Sequence, residues 1–167
     1  MAVANTKSTQ ITNADAAPRV VNDVRSTHGR TRTSKATVAV LAADDDTSVF
    51  RFVRVHSSWS VVSIQILNDA IAAATVYHCG LHQTAANGGA VLDADCYASS
   101  VDINAGTTAW LELAYEARNI TAVGQRVYED GGVSTDPNIY YDITLTGATV
   151  GTAAGDITMV VQYLAGD

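Results

Sequence analysis

The sequence predicts an all-β protein: an antiparallel β-sandwich, jelly rolls included, with one short helix and an extended N-terminal arm. Three observations predict it. From residue 36 onward, apolar side chains recur at every second position in short runs, which is the period of a strand. Glycines gather in small clusters between those runs, and the chain has only two prolines, a pattern that suits strands joined by tight turns. A single stretch, residues 119–132, fits a helix better than a strand.

A chain of 167 residues suits one domain with a tail. Residues 1–35 read as an extended basic arm and residues 36–167 as the sandwich domain. The arm is rich in Thr, Ser, Asn, Ala and Arg and shows neither helical nor strand period, although Val20, Val21 and Val24 after Pro18 could dock as one extended segment. A tail of this kind becomes ordered when a partner holds it.

The strands follow in order. Residues 36–42 (ATVAVLA) form a first one, stopped by the acidic turn Asp44-Asp45-Asp46. In residues 48–57, Val49, Val53 and Val55 share one parity and Phe50 and Phe52 the other, with Arg51 and Arg54 interrupting opposite faces. Residues 59–67 put Val62, Ile64 and Ile66 on one face and Trp59, Val61 and Leu67 on the other. Residues 72–82 alternate Tyr77, Cys79 and Leu81 with His78 and His82. Asn87-Gly88-Gly89 is a hairpin signal, because these residues accept positive φ, and residues 90–103 continue as extended chain. Residues 107–119 carry both periods. For 119–132, Asn119 is the expected N-cap, Ile120, Val123 and Val127 the buried face, and Gly131-Gly132 the stop. Two last strands, 138–148 and 155–165, are joined through the glycines at 147, 151 and 155.

No constellation makes a case for catalysis. His78, Cys79, His82 and Cys96 have the residue types of a zinc site, but on a strand Cys79 points away from the two histidines, and no CxxC pair exists. Buried free cysteines are the better reading. Asp44–Asp46 and Asp93/Asp95 lack the layout of a calcium loop and read as turns. Glu112 and Glu116 lie on one element, whereas glycosidase carboxylates face each other across a cleft about 5–9 Å wide. The 147–155 glycines have no following lysine to make a phosphate loop, and no nucleophile motif is present. The expectation is therefore no catalytic residue, no metal and no cofactor. No run of about 18 apolar residues is present, so no membrane span is expected. The first ten residues lack the apolar stretch of a secretory signal. Two cysteines make no disulfide framework, which favours synthesis in a cytoplasm.

Charge is what singles out the arm. Residues 1–35 hold six cations against two carboxylates, a balance of +4, while residues 36–167 hold four against fifteen, a balance of −11. Basic residues separated by Ser and Thr suit phosphate contacts, and equally suit an acidic protein surface. Residues 1–49 contain no Phe, Tyr or Trp on which bases could stack, and the acidic body repels a polyanion. Protein is thus the expected partner and nucleic acid the weaker one, with Arg19, Val20, Val21, Arg25, Arg30, Arg32 and Lys35 as the contacting set. A carbohydrate-binding sandwich is a further alternative, and would need Trp59 or Trp110 on an exposed face.

The segment VGQRVYEDGGVSTDPNIYYDITLTGATVGTAAGDITMVVQYLAGD resembles small virion structural proteins of tailed bacteriophages, with its Asp136-Pro137…Tyr141-Asp142 corner and its Gly155-Asp156-Ile157-Thr158-Met159…Tyr163 ending. The preceding NDAIAAATVYHCGLHQTAANGGAVLDADCYASSVDI is similar too. The group is that of head decoration or cement proteins, which have a β-rich body and an N-terminal extension. The resemblance implies a non-enzymatic protein of the capsid surface, made in the host cytoplasm, that binds the major capsid protein and forms a homo-oligomer, trimers included. It brings no catalytic residues. A tail or neck position in the virion is the structural alternative.

Overall fold

In a computed structural model of the chain, which describes residues 6–22, 27, 29–71, 75–149 and 153–165, the body is built from two antiparallel four-stranded sheets. The strands are β1 (Thr31–Val40), β2 (Val49–His56), β3 (Ser60–Asn68), β4 (Val76–Gln83), β5 (Val91–Asp102), β6 (Leu111–Glu112), β7 (Tyr140–Thr149) and β8 (Gly155–Leu164). One sheet runs β1–β8–β3–β6 and the other β2–β7–β4–β5. The pairs β1·β8, β2·β7, β3·β6 and β4·β5 are those of one long hairpin ribbon rolled over itself. A short helix α1 (Thr9–Asp15) lies in the arm, and a one-turn helix α2 (Val127–Asp130) precedes β7. The expected all-β antiparallel sandwich is the fold.

The core lies between the sheets. Val61, Ile64, Ile66, Ile157, Met159 and Val161 come from one, and Val55, Tyr77, Leu81, Tyr141, Ile143 and Leu145 from the other. Burying a side chain of this size contributes about 1.5–3 kcal/mol relative to leaving it in water. Most of these positions follow the expected alternation, but two strands shift phase. A bulge between Arg51 and Val53 in β2 puts Phe50, Val53 and Val55 inside together, and both Arg51 and Arg54 on the outer face. The arginines were expected on opposite faces, and the extra residue of the bulge removes that difference. A second bulge between Val61 and Ser63 brings Val61 inward beside Ile64 and Ile66 and turns Val62 out, again reversing the simple alternation.

Strand β1 begins at Thr31, five residues before the expected strand, because Thr31 to Lys35 pair with Leu164 to Val160 of β8. The Asn87-Gly88-Gly89 hairpin is present. Residues 85–87 make a 3₁₀ turn, Gly88 and Gly89 take φ of 93° and 70°, and the Gln83 amide donates to the Ala90 carbonyl. The expected helix at 119–132 is split. Asn119 does cap it, accepting from the Thr121 amide, yet only a 3₁₀ turn (Ile120–Ala122) follows before α2. Ile120 and Val123, expected on the buried face, are exposed, and Val127 is buried.

A buried ion pair holds this long connection down. Arg118 Nη2 stands 2.8 Å from Asp130 Oδ1, with 3% and 0% of the two side chains exposed. The guanidinium lies between the rings of Tyr97 and Tyr115, at 5.3 and 5.1 Å, and Nη2 also donates to the Ala122 carbonyl. The Tyr97 hydroxyl donates to Asp130 Oδ2. Burial pushes the Asp130 carboxyl up to about 7, against the opposing pull of Arg118 and Tyr97.

At Gly80 in β4 a close approach requires glycine, because a Cβ there would overlap the Asp93 carbonyl and the Ala94 backbone where β5 arches over β4. Gly80→Ala is expected to cost at least about 2 kcal/mol in chemical denaturation, since main chain cannot yield as a side chain can. A variant as stable as the parent would mean the arch can move away. The Asp130 carboxyl binds its proton more tightly in the folded state than in the unfolded, so its contribution falls as pH rises from 4 to 7. The stability of the parent minus that of Asp130→Asn should therefore drop by about 1–4 kcal/mol over that window. A difference that climbs instead would show an Asp130 held ionised by Arg118.

Candidate functional site

The arm is more structured than its composition predicts. Ser8 caps α1 by accepting from the Ile11 amide at 3.3 Å, and Lys7 pairs with Asp15 across the helix at 2.8 Å. The following chain folds back beside the helix. The Val20 amide donates to the Asn13 carbonyl at 3.1 Å, and the Asn13 amide nitrogen donates to Asn22 Oδ1 at 2.7 Å. Ser8 as a cap and Pro18 beyond the last turn are the only sequence marks of this helix. It buries nothing: Ile11, Val20 and Val21 are all exposed, Val21 to 86%. Polar ties thus hold the knot together and leave its apolar side chains to the outside.

The expected contact residues fall into two groups. Arg19, Val20 and Val21 sit on the knot and are exposed. Arg30 stands just before β1, and Arg32 and Lys35 lie on β1 itself, opposite Tyr163 and Val160 of β8. Arg25 lies outside the described residues. Among the described residues, Arg19, Arg30, Arg32 and Lys35 have no ion-pair partner. Each is exposed to solvent, and Arg32 and Lys35 are held in the register of β1.

The body uses its own cations internally. Asp142 of β7, with 8% of its side chain exposed, receives both outer-face arginines of β2. Arg54 Nε donates at 2.8 Å and Arg51 Nη1 at 3.0 Å, while Arg51 also donates to the carbonyls of Gln83 and Gly89. An open groove of about 320 Å³ follows this seam along Phe52 and Val53. Next to it His82 is buried, with Nδ1 2.9 Å from the Thr144 hydroxyl, and burial followed by the Arg51 charge holds its pKa below the ordinary value. His82 is therefore a neutral, hydrogen-bonded part of the sheet.

The residues weighed for chemistry do not converge. The His78 ring accepts from the Ser100 amide, and Cys79 is buried in the core, where burial pushes both its thiol and that of Cys96 far up. No group of three His, Cys, Asp or Glu among the described residues could hold a metal ion. Asp44 and Asp45 accept from amides of their own turn, whereas Asp93 and Asp95, expected in a turn, lie on β5 and accept from the Asp95 amide and the Ser99 hydroxyl of that strand. Glu112 and Glu116 are ties between segments. Glu112 accepts from the Ser63 hydroxyl and the Ile64 and Ala114 amides, and Glu116 from the Ser99 amide at 2.6 Å. Trp59 lies flat on Tyr163, ring centroids 4.7 Å apart, and meets Tyr140 edge-on, so its ring already has protein partners. Trp110 is 46% exposed.

Neither the known protein families nor the curated protein sequences give a match to this chain. Solved structures share its fold. A chain from the capsid asymmetric unit of cyanophage Pam1 superposes with a TM-score of 0.52 at 15% identity, covering 99% of this chain and 100% of its own. Another, from the capsid of Ralstonia phage GP4, gives a TM-score of 0.59 at 10% identity, covering 83% of this chain and 86% of its own. At such identities the likeness is one of fold: the rolled two-sheet sandwich described above.

Proposed function

We propose that this protein is a non-enzymatic structural component of a phage capsid, a decoration or cement subunit that binds the shell of major capsid protein with residues 1–35 as a strap. The observation that carries this reading is the N-terminal segment. Four cations without an ion-pair partner among the described residues and three exposed apolar side chains stand on a knot and a strand root attached to an acidic body. Such a segment gains contact area and buries its apolar residues only on another molecule, at the entropic cost of being ordered there. The fold shared with chains from two phage capsids supports the location, on the capsid surface of a virion. The order β1–β8–β3–β6 opposite β2–β7–β4–β5 supports naming the sandwich a jelly roll. Glu112 and Glu116 are engaged in structural bonds, which supports a role without catalysis.

Several copies on one shell would add their weak contacts, so a homo-oligomer, trimers included, suits this role. Nucleic acid is a poorer partner, since the arm has no Phe, Tyr or Trp for stacking and the body balance is −11. A sugar-binding reading loses Trp59, which is stacked on Tyr163.

The test is a deletion of residues 1–29, which stops short of β1 and keeps its ladder to β8. Co-sedimentation with shells of the parent phage assembled without this protein should fall at least tenfold. The melting temperature of the body should stay within about 4 °C, the shift expected of roughly 1 kcal/mol in a domain of this size. Full occupancy by the shortened protein would sink the strap.

A further inference from the structure

Two open sheets have four edges, and among the described residues three of these are closed or irregular. On the β1–β8–β3–β6 sheet the far edge ends in β6, only two residues long. The connection that carries β6 seals β3 on both sides of it. The Thr107 amide and hydroxyl bond the Asn68 carbonyl and amide, the Leu113 amide donates to the Ile64 carbonyl, and the Val127 amide to the Trp59 carbonyl. On the other sheet, β2 carries the bulge between Arg51 and Val53, and β5 meets β4 through three register shifts. Strand β1 is different. Its ten residues meet β8 without a shift, and no described residue outside β8 bonds to its backbone.

An edge of this kind specifies the chemistry of what covers it. Every second residue of β1 turns its N–H and C=O away from β8, in a row that only another extended backbone can match. The side chains then narrow the choice. Alternation sends Arg32 and Lys35 to opposite faces of the strand. Residues 29–43 hold no carboxylate, and neither do residues 157–164, which lie opposite Thr31–Val38. Asp156 enters only opposite Ala39. A strand laid along β1 therefore meets one cation on each of its faces, at positions three apart in its own sequence. Acidic residues at that spacing in an extended segment satisfy both cations. A second copy of β1 would bring Arg32 and Lys35 there instead, and like charges at paired positions are unfavourable.

We propose that the free edge of β1, from Thr31 to Thr37, takes up an extended acidic segment of the shell protein as an added strand. This rests on the capsid reading and specifies how the root of the arm is gripped. The knot offers side chains to the shell, whereas the edge offers backbone, so the two contacts are separable by experiment.

The test is amide hydrogen exchange of the full-length protein, free and bound to shells assembled without it, read by mass spectrometry with residue-level fragmentation. Of any two neighbouring amides from Arg32 to Thr37, one is bonded to β8 and the other faces the edge and exchanges fast in the free protein. Shell binding should slow the edge-facing amides at least about tenfold. Bound protein whose edge amides exchange as in the free form would overturn the proposal and leave the capsid reading standing. Edge amides already slow in the free monomer would assign the edge to the protein's own chain and overturn it too. Protection that tracks a concentration-dependent oligomer in sedimentation velocity, without shells, would assign it to a second copy, with the same consequence. Proline supplies a second measurement, because it cannot donate. Of Thr33→Pro and Ser34→Pro, one loses a bond to β8 and melts lower, and the other loses only an edge donor. The better-folded of the two should bind shells at least about tenfold more weakly, as should the double variant Arg32→Glu with Lys35→Glu. Parent-like binding by either would overturn the proposal. A parent protein that does not bind shells at all would overturn the capsid reading and the added strand with it.

Discussion

The ladder between β1 and β8 is the constraint on which the rest of this protein depends. It runs from Thr31 opposite Leu164 to Val40 opposite Gly155, joining the end of the arm to the last strand of the chain. Strand β8 is paired on its other side with β3, so whatever is attached to β1 is attached to the middle of a sheet. Without that ladder, Arg30, Arg32 and Lys35 would belong to a loose tail with no fixed direction. With it, a basic segment of otherwise featureless composition acquires a rigid root.

The two bulges have a comparable influence on the electrostatics. A strand with strict alternation would have sent Arg51 and Arg54 to opposite faces, one of them toward the core, where an unpaired guanidinium is very costly. The extra residue in β2 lets both reach Asp142 from the same side. Arg118 has its own buried partner in Asp130. Three of the four body cations are thus paired with carboxylates of the body itself, and four further cations without an ion-pair partner among the described residues lie in the N-terminal segment. The separation of charge along the sequence is therefore also a separation in availability.

Alternation and turn chemistry made most of the strands legible in the sequence, because period two and an Asn-Gly-Gly hairpin are local properties of the chain. The bulges were not legible. Which residue of Arg51, Phe52 and Val53 is the extra one depends on what β7 presents across the ladder, and residues far apart in sequence decide that. The pairing of Arg118 with Asp130 is hidden for the same reason. The helix at 119–132 failed over Ile120 and Val123, whose helical spacing is real but whose sandwich has no room left for them. The helix in the arm left only Ser8 and Pro18 as marks, too little against a background of Thr and Asn. Of the expected contact residues, the charge contrast was visible from the start. That part of the set is carried on a strand was not.

The position of β1 also bears on solubility. As an edge strand it presents one side of its backbone unpaired, and such a row of amides and carbonyls is a template on which further chains can stack into fibrils. To stay soluble, such an edge has to refuse its own kind. Arg32 and Lys35 provide the refusal, since two such edges meeting would set like charges against each other, while Thr31, Thr33 and Thr37 keep the strand hydrated between them. The cations of β1 therefore keep identical edges apart.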